Sequence, residues 1–188
     1  MNTLFPIFVK VENLHTLIIG GGYVGLEKLT ALLGNAPDAR VTLVAPLIRD
    51  EIRELAGQNP KLELIAEPYR VEHLTDKDLV IVSTNDKAVN RLVQADCKVR
   101  RILVNVADTP DLCDFYLSSV VKKGDLKIAI STNGKSPTFA KRFREVLEAI
   151  LPDSLQETLD NLTAIRNQLK GDFVQKMERL NEITKVLK

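Results

Sequence analysis

Three clusters of residues in this chain carry groups able to do chemistry. The first is Gly20-Gly21-Gly22-Tyr23-Val24-Gly25. Gly20 permits a tight turn, Gly22 lets a pyrophosphate approach the backbone, and Gly25 lets a helix pack close to a strand. The free N–H groups at the start of that helix would hold the anion. The alternative is a strand-to-helix turn that binds nothing. The second cluster is Asn105-Val106-Ala107-Asp108-Thr109-Pro110-Asp111. Asp108 stands where an apolar strand ends, and a carboxylate there can accept a proton from a substrate being oxidised. Its other possible duty is to cap the Thr109-Pro110-Asp111 turn locally. The third cluster is Ser131-Thr132-Asn133-Gly134-Lys135-Ser136-Pro137, with Lys141, Arg142 and Arg144 beyond it. Hydroxyls, a lysine and a helix N-terminus together suit a polyanionic ligand. The competing reading is a solvated helix face capped by Ser136.

The elements that must position these groups are legible as hydrophobic patterns. Strand-like runs cover His15–Gly20, Arg40–Ala45, Leu62–Ile65, Asp78–Ser83 and Ile102–Val106. Helical spacing follows the glycine turn at Leu26, Leu29, Leu32 and Leu33, the second strand at Ile48, Ile52 and Leu55, and the fourth from about Lys87 to Cys97. Such alternation predicts a parallel sheet with right-handed crossovers. The runs Phe115–Val121 and Leu126–Ser131 flank a four-residue link, Lys122 to Asp125, and predict an antiparallel pair. Ser136-Pro137 opens a helix carrying Phe139, Phe143, Val146, Leu147 and Ile150, which stops near Leu151-Pro152. Ser154-Leu155-Gln156-Glu157 reads as a capping box. Leu155, Leu159, Leu162 and Ile165, then Phe173, Met177, Leu180 and Leu187, predict a helical hairpin broken at Gly171-Asp172. The fold class is therefore α/β: a Rossmann-like parallel sheet over residues 1–112, a small antiparallel segment over 113–151, and a helical region over 152–188.

In an open parallel sheet, ligands sit beyond the carboxyl ends of the strands. Besides the glycine turn, that rim would carry Ala45-Pro46-Leu47 and Ser83-Thr84-Asn85-Asp86. The acid that often ends strand two and selects NAD over NADP is missing. Pro46 and Leu47 can still touch the ribose through their backbone. Arg49 could instead meet a 2′-phosphate, or simply be a solvated surface arginine. Ser83 and Thr84 suit the nicotinamide side, while Asn85 and Asp86 also suit a helix cap.

Bulk properties narrow the class. The 188 residues include 26 Lys plus Arg and 25 Asp plus Glu, a net charge of +1. That balance argues against nucleic-acid binding driven by charge. The spacings of Cys97, Cys113, His15 and His73 match no metal site. Unpaired thiols, with neither a leader-like nor a membrane-length apolar run, predict a cytoplasmic protein without a membrane partner.

Four stretches together resemble the precorrin-2 dehydrogenase/sirohydrochlorin ferrochelatase family, the N-terminal module of siroheme synthases, in its stand-alone form. They are Leu4–Phe8, Gly20–Lys28, Asn105–Phe115 and Ile128–Pro137. The family more often has alanine at the position of Gly25. The resemblance implies NAD-dependent oxidation of precorrin-2 to sirohydrochlorin, with Fe²⁺ as a further substrate in bifunctional members. It implies Asp108 as general base. Gly20, Gly22, Tyr23, Val24, Gly25, Pro46, Leu47, Ser83 and Thr84 would lie along NAD. Asn105, Thr132, Asn133, Gly134, Lys135 and Ser136 would lie along the tetrapyrrole. It also implies a homodimer joined through the antiparallel strands and the helix after them. A different class remains open on the glycine turn alone: a non-catalytic NAD-sensing regulatory module. A chelatase that has lost the oxidation step is a third.

Overall fold

A computed structural model describes residues 4–169 and 172–187. The chain divides into two compact units, Met1–Leu117 and Ser118–Lys188.

The first unit is built on five parallel strands, β1 (His15–Gly21), β2 (Arg40–Ile48), β3 (Leu62–Ile65), β4 (Leu79–Val82) and β5 (Leu103–Val106). Their order is β3-β2-β1-β4-β5. The chain moves outward from β1 to β3, then returns to the other side of β1, so the order reverses between β1 and β4. A crevice opens at such a reversal, beyond the strand ends. The central strands β1 and β4 are buried along their length, with both faces covered, whereas the edge strand β3 alternates and leaves Glu63 exposed. On one face Leu17, Ile19, Val80, Val82, Val104 and Val106 pack with Val93 and Cys97 of α3 (Lys87–Arg100). On the other, Ile18, Val41, Leu43 and Ile81 pack with Leu29 of α1 (Tyr23–Asn35) and Ile52 of α2 (Asp50–Gln58). Each such side chain, once fully buried, contributes about 1.5–3 kcal/mol.

Several boundaries differ from the sequence pattern. Ile48 ends β2 and is not the first residue of a helical stripe. It pairs with Gly21 in the sheet, and that ladder contact outweighs its helical spacing to Ile52. Helix α3 runs on to Arg100, where Arg101 adopts a left-handed cap (φ 57°) whose N–H returns to Cys97 and Lys98.

The second unit opens with an antiparallel hairpin of β6 (Ser119–Lys123) and β7 (Leu126–Ile130). Residues 115–118 are not strand. The link is two residues, not four, because Lys123 pairs with Leu126 and Lys122 with Lys127. Gly124 takes φ 59° at the first turn position, where tight hairpins favour glycine. Helix α4 (Pro137–Ile150) packs on β6, and α5 (Leu155–Gln168) and α6 (Phe173–Ile183) touch each other. The expected capping box at Ser154 does not form. Ser154 sits at φ −75°, ψ 5° and makes no side-chain cap, because a capping oxygen reaches the helix amides from extended backbone. Gln156 ties the hairpin turn down instead, accepting from the Asp125 N–H (2.7 Å) and donating to its carboxylate (2.9 Å). Asp172 caps α6 through the Gln175 N–H. Gly171 and the Leu187 side chain lie outside the described residues. Among the described residues, no helix is long and apolar enough to cross a membrane.

Candidate active site

The glycine turn joins β1 to α1, and its glycines have unlike reasons to be glycine. Gly20 adopts φ 117° under the Ser83 backbone, so a side chain there would be both strained and blocked. Gly25 faces the Gly20 carbonyl so closely that a Cβ would overlap it. Gly22 is different: it is exposed and nothing lies within 4 Å of where its Cβ would be. It is also the N-cap of α1, with ordinary negative φ (−85°), no side-chain cap and no acidic residue in the first turn. The leading amides of α1 thus lack a side-chain partner at a place open to solvent. That combination fits the pyrophosphate of a dinucleotide. Tyr23 is exposed, Val24 half-buried and Gly25 buried.

The end of β2 is shaped by a bulge. Between Ile19↔Val44 and Gly21↔Ile48, β1 advances two residues and β2 four. The surplus pushes Pro46 and Leu47 outward, and Leu47 is 85% exposed. Gly21 has room only for hydrogen here, because a Cβ would meet the Leu47 carbonyl. The chain then turns back, with the Arg49 N–H donating to the Gly21 carbonyl (3.1 Å). The Arg49 guanidinium lies 3.7 Å from the centre of the Tyr23 ring and bonds to Glu51. This stacked cation at the rim was visible in the sequence only as a lone arginine.

At the end of β4 both hydroxyls serve the protein itself. Ser83 is buried and its Oγ donates to the Ile19 carbonyl at 3.0 Å. Thr84 is half-buried and its Oγ1 donates to Asn90 Oδ1 at 2.7 Å, while Asn90 Nδ2 returns to the Thr84 carbonyl at 3.2 Å. Asn90, buried on α3, went unnoticed in the sequence because its partner lies six residues away across a helix cap. Asp86 provides that cap through the Ala88 and Val89 amides.

Asp108 follows β5 in a turn. It is exposed and left-handed (φ 55°), and its carboxylate has no hydrogen bond among the described residues. The local capping duty therefore goes unfilled by this side chain. The turn is instead held from below. Asn105, 6% exposed, donates to the Phe115 carbonyl at 2.8 Å. The amide expected along the substrate is thus turned inward. Cys113 Sγ accepts from the Val106 N–H at 3.2 Å, and Asp114 pairs its N–H and carboxylate with Val104. Burial pushes the Cys113 thiol up, and pushes Cys97 up to about 12, so neither is a ready thiolate.

The third cluster lies in the second unit. Thr132 to Lys135 form a tight turn, with Asn133 and Gly134 at φ 55° and 76° and the Lys135 N–H returning to the Thr132 carbonyl (3.1 Å). Thr132 Oγ1 accepts from the Ser136 N–H, and Ser136 Oγ accepts from the Phe139 N–H to cap α4. Gly134 and Lys135 are exposed; Thr132, Asn133 and Ser136 are half-buried. Among the described residues, no three His, Cys, Asp or Glu side chains are grouped to hold a metal.

Residues 7–119 match the family described as putative NAD(P)-binding, and residues 123–150 match the central part of sirohaem biosynthesis proteins. The chain belongs to the putative NAD(P)-binding family. A siroheme synthase from Nitrosomonas europaea is 34% identical over 174 residues, covering 93% of this chain and 36% of the relative. The siroheme synthase of Psychrobacter arcticus is 37% identical over 180 residues, covering 96% and 31%. The chain thus spans about a third of the length of these curated relatives. A solved structure, SirC, precorrin-2 dehydrogenase, superposes with a TM-score of 0.75 at 27% identity, over 96% of this chain and 89% of that one. The matched family is described as NAD(P)-binding, and the open Gly22 turn is a place where a pyrophosphate would fit.

Proposed function

We propose that the chain oxidises precorrin-2 to sirohydrochlorin, with NAD accepting the hydride. The observation that carries this reading is Asp108. Its carboxylate, without a hydrogen bond among the described residues, stands in the exposed turn after β5, two strands from the glycine turn in the same sheet. Neighbouring strands are about 4.8 Å apart, so the two features stand about 10 Å apart along the rim. A dinucleotide anchored at Gly22 reaches that far. Oxidation of the macrocycle removes a hydride and a proton. Bound NAD supplies the hydride acceptor; Asp108 supplies the proton acceptor.

The glycines and the first amides of α1 hold the pyrophosphate, and Tyr23, Val24, Pro46 and Leu47 flank the adenosine half. Ser83 and Thr84 shape the nicotinamide side through the backbone that their hydroxyls fix. We assign Thr132, Asn133, Gly134, Lys135 and Ser136 to the carboxylates of the tetrapyrrole, on the strength of the exposed lysine and the capped helix start. Asn105 acts through the turn it holds. Fe²⁺ enters as a substrate in a further chelation step, where Asp108 would accept pyrrole protons. Two free thiols, Cys97 and Cys113, suit the reducing cytoplasm.

A second copy of the chain completes the proposed assembly. Phe139, Phe143, Val146 and Ile150 recur every three or four residues on α4 and are 43–67% exposed. The two rings stack with centroids 5.9 Å apart. A stripe of this kind is the face a helix offers to a partner.

Purified protein incubated with precorrin-2 and NAD should yield sirohydrochlorin and NADH, and Asp108→Asn should lose the oxidation while keeping NAD binding. NAD binding without any tetrapyrrole turnover would favour the sensor module. Iron insertion into supplied sirohydrochlorin, without NAD reduction, would favour a chelatase alone.

A further inference from the structure

We propose that Arg49 makes the adenosine end of this site accept a 2′-phosphate, so that the chain binds NADP as well as NAD, with Glu51 setting the ratio. The inference rests on the dinucleotide site proposed above. In sheets of this topology the adenosine ribose lies beyond the end of β2, where an acid engages the 2′-hydroxyl of NAD or an arginine receives the 2′-phosphate of NADP. Here the bulged end, Ala45 to Ile48, carries no acid. The next residue is Arg49.

Its placement is fixed from several sides. The main chain is held by the bond to the Gly21 carbonyl. The guanidinium is spread over Tyr23 at 3.7 Å, and Tyr23 directly follows the open Gly22. A cation stacked on an aromatic face loses little freedom when it binds an anion. Arg49 Nε is shielded from solvent and has no hydrogen-bond partner, although the side chain as a whole keeps 28% exposure. Glu51 Oε1 takes an Nη2 donor. A planar guanidinium has five N–H donors, so donors remain for a phosphate.

The first turn of α2 also holds the opposing charges, Asp50 and Glu51. Glu51 already occupies part of the guanidinium, and an arriving 2′-phosphate must share or displace it. The Arg49–Glu51 pair therefore favours NAD without closing the site to NADP. A carboxylate on the ribose itself would have repelled the phosphate outright.

The test is titration of the full chain with NAD and NADP, followed by calorimetry. Adenosine 2′,5′-bisphosphate against 5′-AMP isolates the 2′-phosphate. Wild type should bind both dinucleotides. Arg49→Ala should raise the NADP-to-NAD ratio of dissociation constants by about 10- to 100-fold, the loss of a charged hydrogen-bond partner. Arg49→Lys should lie between, since it keeps the charge but loses the planar fork. Glu51→Gln should lower the ratio by about two- to fivefold, as expected for an exposed charge. NAD binding with no NADP binding, or a ratio that Arg49→Ala leaves unchanged, overturns this inference alone. Binding of neither dinucleotide overturns the site as well.

Discussion

The Asn105 side chain reaches out of β5 to the main-chain carbonyl of Phe115, 2.8 Å away. The nine residues between them, 106–114, carry the turn in which Asp108 stands. With the Val104–Asp114 pair and the Cys113 thiol, this contact fixes the geometry of a turn whose own carboxylate is uncommitted. Asn105→Ala should leave the carbonyl unpaired and cost about 1–3 kcal/mol. A lower melting temperature and a slowed dehydrogenase step, with NAD affinity retained, would be the signature. Unchanged turnover would show that the turn holds its shape without the clasp.

Asp108 should behave in the opposite way. It is a non-glycine residue at φ 55°, a conformation that costs about 1 kcal/mol for most side chains. Asp108→Gly removes that strain together with the carboxylate. Thermal unfolding should show the variant at least as stable as wild type. Its oxidation rate should fall by about 10²- to 10⁴-fold, the usual contribution of a general base.

Gly22 and Gly20 should separate binding from folding. Gly22→Val adds a side chain into open space at an allowed φ, so the melting temperature should barely move. Calorimetry should nevertheless show weaker dinucleotide binding, because the added bulk fills the space proposed for the pyrophosphate. Gly20→Val meets the Ser83 backbone at φ 117° and should destabilise the fold itself. Equal losses of stability in both variants would contradict this division.

His15 predicts a pH dependence. It is 6% exposed, bonded to Thr42 with its other ring nitrogen unpaired. Burial, then Lys77 and Arg40, lower its pKa from the ordinary 6.5. The unfolded chain therefore takes up the proton first as pH falls. Stability is full above 6.5 and declines as pH drops through that value toward the folded pKa. Urea midpoints at about pH 7.5 and about pH 5.5 should differ, and His15→Gln should shrink the difference.

The α4 stripe predicts an oligomer. Phe143→Glu places a charge in the middle of the exposed apolar row. Light scattering should change from dimer to monomer while the helical circular dichroism persists. A wild-type monomer at micromolar concentration would remove the basis for the homodimer.

What the sequence made legible follows from where the information lies. The fourth strand was readable because it buries both faces and carries an unbroken apolar run, and the third because Glu63 alternates with apolar neighbours at its edge of the sheet. Ser136 was readable as a cap because its partner, the Phe139 amide, is three residues on. The relationships that went unseen pair residues far apart. Arg49 meets Tyr23 across two elements, Gln156 meets Asp125 across 31 positions, and Asn105 meets Phe115 across ten. Local pattern also misled: Ser154 has the spelling of a capping box, but its backbone is not extended and its neighbour Gln156 is engaged by the hairpin.

The surplus of two residues in β2 makes the loop at its end a matter of counting. Side chains alternate along a strand, so removing a single residue at Pro46 or Leu47 would turn Ile48 from the interior to the outside and carry Arg49 away from Tyr23. Removing both would restore the alternation but erase the ledge. Changes of chain length here should therefore be tolerated, if at all, only in pairs, whereas exchanges of residue type at the two exposed positions should be freely accepted by the fold.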